Sequence, residues 1–383
     1  MQIILAIDTS CDETSVAVTK NLTILSNVVS SQIEQHKLYG GVLPSLARLA
    51  HQDKINTVID TAMKRAHVGF NDIDVIAVTQ GPGLAIALEV GINKAIELAS
   101  MYNKPLICVN HMEGHLLSGF AQKNSFYNIK FNLKSIKFPV LGFLISGGHT
   151  EMILVREFGK YEKIGETLDD SCGEAYDKCG RMLGLGYPAG PIISKFAKMH
   201  RNNTILTTIR HNQSTNIKLI NKVSKKEYQL PVSMAHSANL NFSYSGLKTA
   251  FKLLINKLTN NNARNLDKDE IFDLSTIFEA AAISQLTIKL TKAIEYFHPE
   301  ELWLGGGVIA STRLKFLFRK ICKKNTVTIR LPYSNKLTGD NAAMIGMASY
   351  FKTYNTKNFI NNPSSGIYVK DFSRIERLPS LSL

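Results

Sequence analysis

Residues 3–19 and 138–155 repeat one layout, and that repeat limits what this chain can become. Ile3 to Asp8 is an apolar run, Thr9-Ser10-Cys11-Asp12-Glu13 a polar turn, and Thr14 to Thr19 a second apolar run. About 140 residues later come Phe138 to Ile145, the turn Ser146-Gly147-Gly148-His149-Thr150, and Glu151 to Val155. Each copy predicts a β-hairpin whose turn can face a phosphate or a metal. A unit that recurs at such a distance predicts two lobes built on one plan. The length of 383 residues also exceeds what one core usually serves. Elsewhere the periodicity alternates between the two regular structures. Helical spacing runs over 45–67, 84–101, 174–185, 191–200, 245–258 and 270–297, and again after Asp340. Short apolar strands are predicted at 74–79, 105–109 and 301–304. Alternating strands and helices mean an α/β architecture with a parallel or mixed sheet. Residues 201–241 are polar, basic and weakly patterned, and read as an insertion or long loop. The final dozen residues read as disordered.

The chemistry concentrates at Asn110-His111-Met112-Glu113-Gly114-His115, directly after the apolar run 105–109. Imidazoles at i and i+4 stand on one face of a helix and can close on one metal ion, as they do in zinc proteases. The same spacing also fits a helix that holds no metal. Glu113 lies about 200° around the helix from His111, so its carboxylate turns away from any shared ion and a proteolytic general base is missing. Asp340 can supply a third ligand, giving a two-imidazole, one-carboxylate set suited to Fe(II) or Zn(II). Its alternative role is to cap the last helix. Gly147-Gly148 and Gly305-Gly306-Gly307 each follow a strand. Such turns let backbone N–H groups approach an anion, or are simply crowded.

Charge narrows the class of partner. Between Asp177 and Asp267 fourteen Lys and Arg residues, from Lys178 to Arg264, stand against the single acid Glu227, and the chain carries a net +14. A basic face of that kind is the footprint of a nucleic acid; compositional drift toward Lys and Asn is the alternative. Five cysteines without a C-x-x-C pair fit free thiols in a reducing compartment. The chain enters a strand at Ile3 without a basic leader, which argues against a secretory signal. No unbroken apolar run of membrane-spanning length is found, so no membrane is expected.

Several motifs together resemble one family. They are Asp8-Thr9-Ser10-Cys11-Asp12-Glu13-Thr14, Asn110 to His115, Leu144 to Glu151, Gly165 to Lys178, Gly186 to Pro191, Phe242 to Thr249, Gly305 to Val308 and Gly339 to Ile345. In this order they resemble the TsaD family of tRNA N6-adenosine threonylcarbamoyltransferases, formerly called O-sialoglycoprotein endopeptidases. The resemblance implies an actin-like ATPase (ASKHA) fold with two RNase H-like lobes and a cleft between them. Residues 1–116 would form the first lobe, completed by a helix near 338–352. Residues 117–337 would form the second, with the basic insertion near 201–241, and 353–383 a tail. It implies transfer of the threonylcarbamoyl group from threonylcarbamoyl-AMP to N6 of adenosine 37 in tRNAs that read ANN codons. The implied metal ligands are His111, His115 and Asp340, holding one divalent ion, iron(II) ahead of zinc(II). The implied adenylate contacts are Leu144, Ile145, Ser146, Gly147, Gly148, Asp177 and Gly190, with Ser194 and Ser311 beside them. Asp12 and Glu13 match acidic residues needed for activity. Two positions depart from the family: Asp8 stands where Glu is usual, and Ser311 where an asparagine contacts substrate. The implied partners are tRNA, threonylcarbamoyl-AMP and TsaB- and TsaE-like subunits. The implied location is the bacterial cytoplasm, with an organellar matrix second. The competing readings are a metalloprotease and a non-catalytic ATP-binding scaffold.

Overall fold

A five-stranded unit occurs twice in the computed structural model, which describes residues 1–123, 133–261, 263–354, 371–372 and 375–383. In the first copy β1 (Ile3–Asp8), β2 (Glu13–Lys20) and β3 (Thr23–Ser31) form an antiparallel meander. After α1 (Ile33–Lys37) and α2 (Pro44–Ala66), β4 (Val75–Gly81) returns parallel to β1. Helix α3 (Ala85–Met101) then leads to β5 (Leu106–Asn110), parallel to β4. Helix α4 (His111–Leu117) follows at once, and the short β6 (Gln122–Lys123) closes the edge, giving the order β5-β4-β1-β2-β3-β6.

The second copy uses β7 (Val140–Ile145), β8 (Thr150–Glu157) and β9 (Lys160–Glu166) as its meander. Helices α5 (Cys172–Met182) and α6 (Gly190–His200) follow. Next come β10 (Thr204–His211), β11 (Ser214–Asn221), β12 (Glu227–Pro231), α7 (Ser245–Leu258) and α8 (Lys268–Phe297). Strand β13 (Glu301–Gly305) then pairs parallel to β7, and after α9 (Thr312–Lys324) the short β14 (Thr328–Arg330) pairs parallel to β13. The order β14-β13-β7-β8-β9 reproduces the first sheet strand for strand, the duplication that the two hairpins foreshadow.

The stretch 201–241 is not a long loop. Strands β10, β11 and β12 form their own antiparallel sheet. Ile217, Leu219 and Tyr228 turn inward and join the core of the second lobe. The period-2 alternation is present in Ser214–Asn221, whose residues alternate exposed or half-buried with buried. Polar residues between the apolar ones obscure it. The final residues are not loose either. Leu378 N–H donates to Gln80 O (2.9 Å), Gly83 N–H to Pro379 O (3.2 Å), and Asn110 Nδ2 to Ser382 O (3.0 Å). These pairings span long sequence separations, which local composition does not reveal. Residues 355–370, 373 and 374 of the tail lie outside the described residues. Helix α8 alone, among the described residues, is long and apolar enough to cross a membrane. Its most apolar window is 67% buried inside the protein, as expected of a core helix.

Helix α10 (Ala342–Tyr354) packs on β1, β2 and α4. One hydrophobic cluster therefore joins β1 (Ile4, Ala6), α4 (Met112, Leu116, Leu117), β7 (Val140, Leu144), Trp303 and α10 (Ala342 to Ala348). The two sheets share this core, with α4 wedged at the junction. A Cβ on Gly305 would lie 2.3 Å from His115 O and one on Gly306 2.4 Å from Ile145 O. Those approaches are backbone on backbone and have no flexible side chain to give way. Gly305→Ala should therefore push α4 out of place and cost about 1–3 kcal/mol, read as a lower denaturation midpoint.

Candidate catalytic and metal centre

The site begins where β5 passes directly into α4. Asn110 Oδ1 accepts from the N–H groups of Met112 (2.8 Å) and Glu113 (3.2 Å), which fixes the helix start at His111. All seven residues of α4 are buried. His111 and His115 stand edge to face with ring centroids 4.7 Å apart. Asp340 lies two residues before α10, and its Oδ1 is 3.1 Å from His115 Nε2 and 3.5 Å from His111 Nε2. The ligand atoms of the three residues all fall within 4.8 Å of one another. Two imidazole nitrogens and one carboxylate oxygen, with the Asp340 side chain 24% exposed, suit a divalent ion that keeps positions open for substrate.

A supporting group stands behind this set. Asp8 Oδ1 lies 3.7 Å from His111 Nδ1 and is itself held by Thr79 Oγ1 (2.8 Å) and Ser10 N–H (3.2 Å). At that distance the carboxylate acts on the ring through its charge, and His111 Nδ1 makes no hydrogen bond among the described residues. Burial alone would lower the His111 pKa, but the Asp340 and Asp8 carboxylates outweigh it and push it up to about 10. Desolvation acts to raise the Asp340 pKa, yet the two imidazoles hold it well below the ordinary carboxylate value. Glu113 is occupied elsewhere. It accepts from Tyr161 Oη (2.9 Å) and pairs with Lys352 Nζ (3.4 Å), so it faces away from the triad.

The acidic turn meets the same centre from the first lobe. Burial, then the charges of Asp340, Asp12 and Asp8, push Glu13 well above the usual carboxyl pKa. The same combination, burial first and then Asp12, raises the Cys11 thiol and leaves it a poor nucleophile. A carboxyl group with a raised pKa holds a proton more strongly and makes a better base once ionised.

The glycine turn comes from the second lobe. Ser146 N–H donates to His149 O (2.8 Å) and His149 N–H to Ser146 Oγ (3.0 Å), which closes the turn. Gly147 and Gly148 leave open space where a Cβ would stand. Gly147 O accepts from Ser171 Oγ, and neither glycine N–H has a protein acceptor among the described residues. Leu144 and Ile145 are fully buried, in different core clusters. Any substrate contact they make must therefore use the backbone. The His149 ring stands close enough for burial and the charges of His111 and His115 to lower its pKa to about 4.

Farther along the cleft, Asp177 Oδ1 accepts from Ala189 N–H (2.7 Å) and braces the start of α6 at Gly190. Tyr187 is half-buried between the acidic turn and Asp177; burial, then Asp12 and Asp177, raise its pKa. Ser194 faces the buried Glu279. A cavity of about 160 Å³ opens there, lined by Arg201, Thr207, Thr208, Glu279, Ser284 and Arg313 among others. Arg201 Nη2 donates to Glu279 (2.6 Å), while Glu279 Oε1 and Arg201 Nε are buried without partners. Ser311 lies two residues before Arg313, and its Oγ caps α9 by accepting from Leu314 N–H (3.3 Å). Sequence reasoning missed Asp8 as a supporting group, and it missed His149, Tyr187, Arg201, Glu279 and Arg313. One signal was available: Glu279 is a lone acid in the apolar stretch that follows Asp273 and ends at Leu286.

Comparison with known proteins points in one direction. Residues 23–347 match the family described as TsaD, tRNA N6-adenosine threonylcarbamoyltransferase. The chain is 40% identical over 352 residues to the protein of that name from Staphylococcus haemolyticus (strain JCSC1435), spanning 91% of each. It is 38% identical over 358 residues to the one from Clostridioides difficile (strain 630), spanning 93% of this chain and 94% of the relative. In architecture it is similar to full-length HypF in its phosphate- and nucleotide-bound form. That match has a TM-score of 0.51 and 10% identity, and covers 92% of this chain and 55% of the other.

The geometry separates ligands from bystanders. His115→Ala should abolish stoichiometric binding of a divalent ion, whereas Glu113→Gln should retain it, because the Glu113 carboxylate engages Tyr161 and Lys352 instead. Metal analysis of the purified proteins checks both.

Proposed function

The chain belongs to the TsaD family of tRNA N6-adenosine threonylcarbamoyltransferases, and from that premise we propose how its own residues divide the work. It transfers a threonylcarbamoyl group to N6 of adenosine in tRNA. The observation that carries the assignment of roles is the meeting of three elements from different parts of the chain. The His111–His115–Asp340 set lies close enough for Asp340 to act on Glu13 of the acidic turn, and for both imidazoles to act on His149 of the Gly147–Gly148 turn. The donor is threonylcarbamoyl-AMP. Its phosphate lies on the N–H groups of Gly147 and Gly148, its ribose end near Asp177 and Gly190, and its base near Ser194 and Ser311, toward the cavity lined by Glu279 and Arg313. A divalent iron held by His111, His115 and Asp340, with zinc as the alternative, supplies Lewis-acid polarisation when bound.

The protein side chains do the rest. N6 forms a bond to the carbamoyl carbon while that carbon's bond to the AMP phosphate oxygen breaks. Asp12 or Glu13 takes the proton that N6 loses, and AMP leaves with the electron pair. Glu13, whose pKa is raised by burial and by Asp340, is a stronger base once ionised and takes that role. The target is adenosine 37 of tRNAs reading ANN codons, TsaB- and TsaE-like subunits complete the assembly, and the setting is a bacterial cytoplasm. The bacterial relatives support this extension. No feature favours proteolysis, since Glu113 is engaged away from the triad.

The basic span divides on inspection. Lys178, Arg201, Lys218, Lys226, Lys248 and Arg264 have acidic partners within 4.0 Å. Lys222 and Lys225 form no ion pair among the described residues; the Lys222 ammonium donates to Asn202 O (2.8 Å). These two, on the turn between β11 and β12, are the stronger candidates for phosphate contacts.

Incubation with tRNA, threonylcarbamoyl-AMP and the partner subunits, followed by nucleoside mass spectrometry, tests the function. The wild type should form N6-threonylcarbamoyladenosine, and Glu13→Gln should lower kcat by about 10²–10⁴ with metal content unchanged. Casein cleavage without nucleoside modification would overturn the reading. Lys222→Ala with Lys225→Ala should weaken tRNA binding and flatten its salt dependence, by roughly 0.7–0.9 in log–log slope for each phosphate no longer neutralised. Parallel salt plots would remove this turn from the tRNA track.

A further inference from the structure

The segment from Lys37 to Gly40 is absorbed by none of the roles above, yet it bridges the mouth of the cleft. Leu38 and Tyr39 sit next to each other with 86% and 62% of their surface exposed. Adjacent apolar side chains this open on a short loop are unusual unless something covers them. The loop is firmly held from below. His36 is fully buried and its Nε2 is 3.1 Å from Gln32 Oε1. Gln32 N–H donates to Asp12 O (2.9 Å), and Gln32 Nε2 lies 3.3 Å from His51 Nδ1. His51 Nε2 in turn lies 3.0 Å from Cys11 O. The loop is thereby tied to the backbone of the turn that carries Asp12 and Glu13. On its other side it reaches the second lobe. Arg181 Nη2 donates to Gly40 O (2.5 Å), and Lys37 Cε comes within 4.0 Å of where a Cβ on Gly186 would stand.

An exposed aromatic residue thus stands where the two lobes touch, with Arg181 hydrogen-bonded to the neighbouring Gly40 O and Lys37 3.5 Å from Glu34 Oε2. Building on the function given above, we propose that Tyr39 is a stacking platform for the unpaired base next to the target adenosine, with Arg181 facing the adjoining phosphates. For its N6 to enter the cleft, the target base must leave the stack, and its neighbour then loses a stacking partner. Unpaired RNA bases are held by aromatic faces and guanidinium planes, and backbone phosphates by neighbouring cations. A protein subunit would also cover Leu38 and Tyr39. The Arg181 guanidinium beside the loop and the direct tie to the acidic turn favour the strand that carries the reacting base. Tyr39 is then a positioning and specificity residue, acting on the RNA substrate without touching the donor or the metal.

Steady-state modification assays on the full chain with its partner subunits test this, using Tyr39→Ala and Tyr39→Phe and an anticodon stem-loop RNA as substrate. Tyr39→Ala should raise KM for the RNA by about tenfold, with KM for threonylcarbamoyl-AMP and metal content unchanged. Tyr39→Phe should restore the wild-type value, because stacking needs the ring and not the hydroxyl. An RNA KM for Tyr39→Ala close to that of the wild type would overturn the inference, as would a Phe variant as impaired as the Ala one. Weakened binding of a partner subunit without RNA, at unchanged RNA KM, would assign the loop to a protein interface and overturn it too. If the wild type itself forms no modified nucleoside, the assigned function fails instead, so the two failures are distinguishable.

Discussion

Seven buried residues, His111 to Leu117, hold the two halves of this protein in register. Helix α4 rests on both sheets at once, and around it glycines allow the close approach. A Cβ on Gly305 would meet His115 O at 2.3 Å, one on Gly142 would meet Leu116 Cδ1 at 2.5 Å, and one on Gly114 would press on Ile345 and Met344 at 3.1 Å. The Gly305 contact is with backbone and cannot be absorbed, whereas at Gly142 and Gly114 the neighbouring side chains would have to shift. The position of the imidazoles is therefore set by the packing of the whole molecule and only weakly by the local sequence. This suits a centre whose ligands come from α4 and from Asp340, 225 residues beyond His115. Small shifts between the lobes would move Asp340 against the imidazoles, and the shared core of α4, α10 and Trp303 opposes them.

Electrostatics follow from that geometry. Asp8, Asp12, Glu13 and Asp340 converge with little water to screen them, an arrangement that like-charge repulsion opposes. Two imidazoles neutralise part of it and hold Asp340 ionised. Glu13 lacks such a partner, and burial together with its acidic neighbours raises its pKa. The same acidic cluster thus shifts two of its carboxyls in opposite directions. The substitution of Asp for the family's usual Glu at position 8 is compatible with this. The shorter side chain still lies 3.7 Å from His111 Nδ1 and is braced by Thr79.

Much of the molecule was legible in the sequence because the signals were local and periodic. The hairpins at 3–19 and 138–155, the i, i+4 imidazoles and the long apolar helices each follow from neighbours along the chain. What was missed divides into two kinds. Strand β9 is an exposed strand at the sheet's edge with no alternation to read, and β14 has only three residues. Helix α9, by contrast, buries Leu314, Phe318 and Cys322 at spacings of four, a stripe that the sequence does display. The sheet at 204–231 carries its alternation beneath polar residues. The docking of 375–383 on β4 and Asn110 rests on pairings far apart in sequence, which no window shows. The cavity residues Arg201, Glu279 and Arg313 fall in the same class, since they meet only after α8 and α9 pack.

Position 311 shows how a family departure can be reconciled with the structure. An asparagine there would offer an amide to the substrate, while serine has one hydroxyl. In this chain that hydroxyl accepts from Leu314 N–H and caps α9, a role that asparagine fills equally well. The cap is therefore preserved in chemistry whichever residue is present, and only the substrate contact differs. Losing the amide need not leave the adenylate unheld at this end. Arg313 lies two residues on, and the Arg201 and Glu279 side chains line the same cavity, although Glu279 Oε1 and Arg201 Nε are themselves buried away from its interior. A buried acceptor beside a buried donor costs free energy until both are satisfied, commonly about 1–3 kcal/mol for each group. Ser311 thus acts through the cap, keeping α9, and with it Arg313, at the cavity wall.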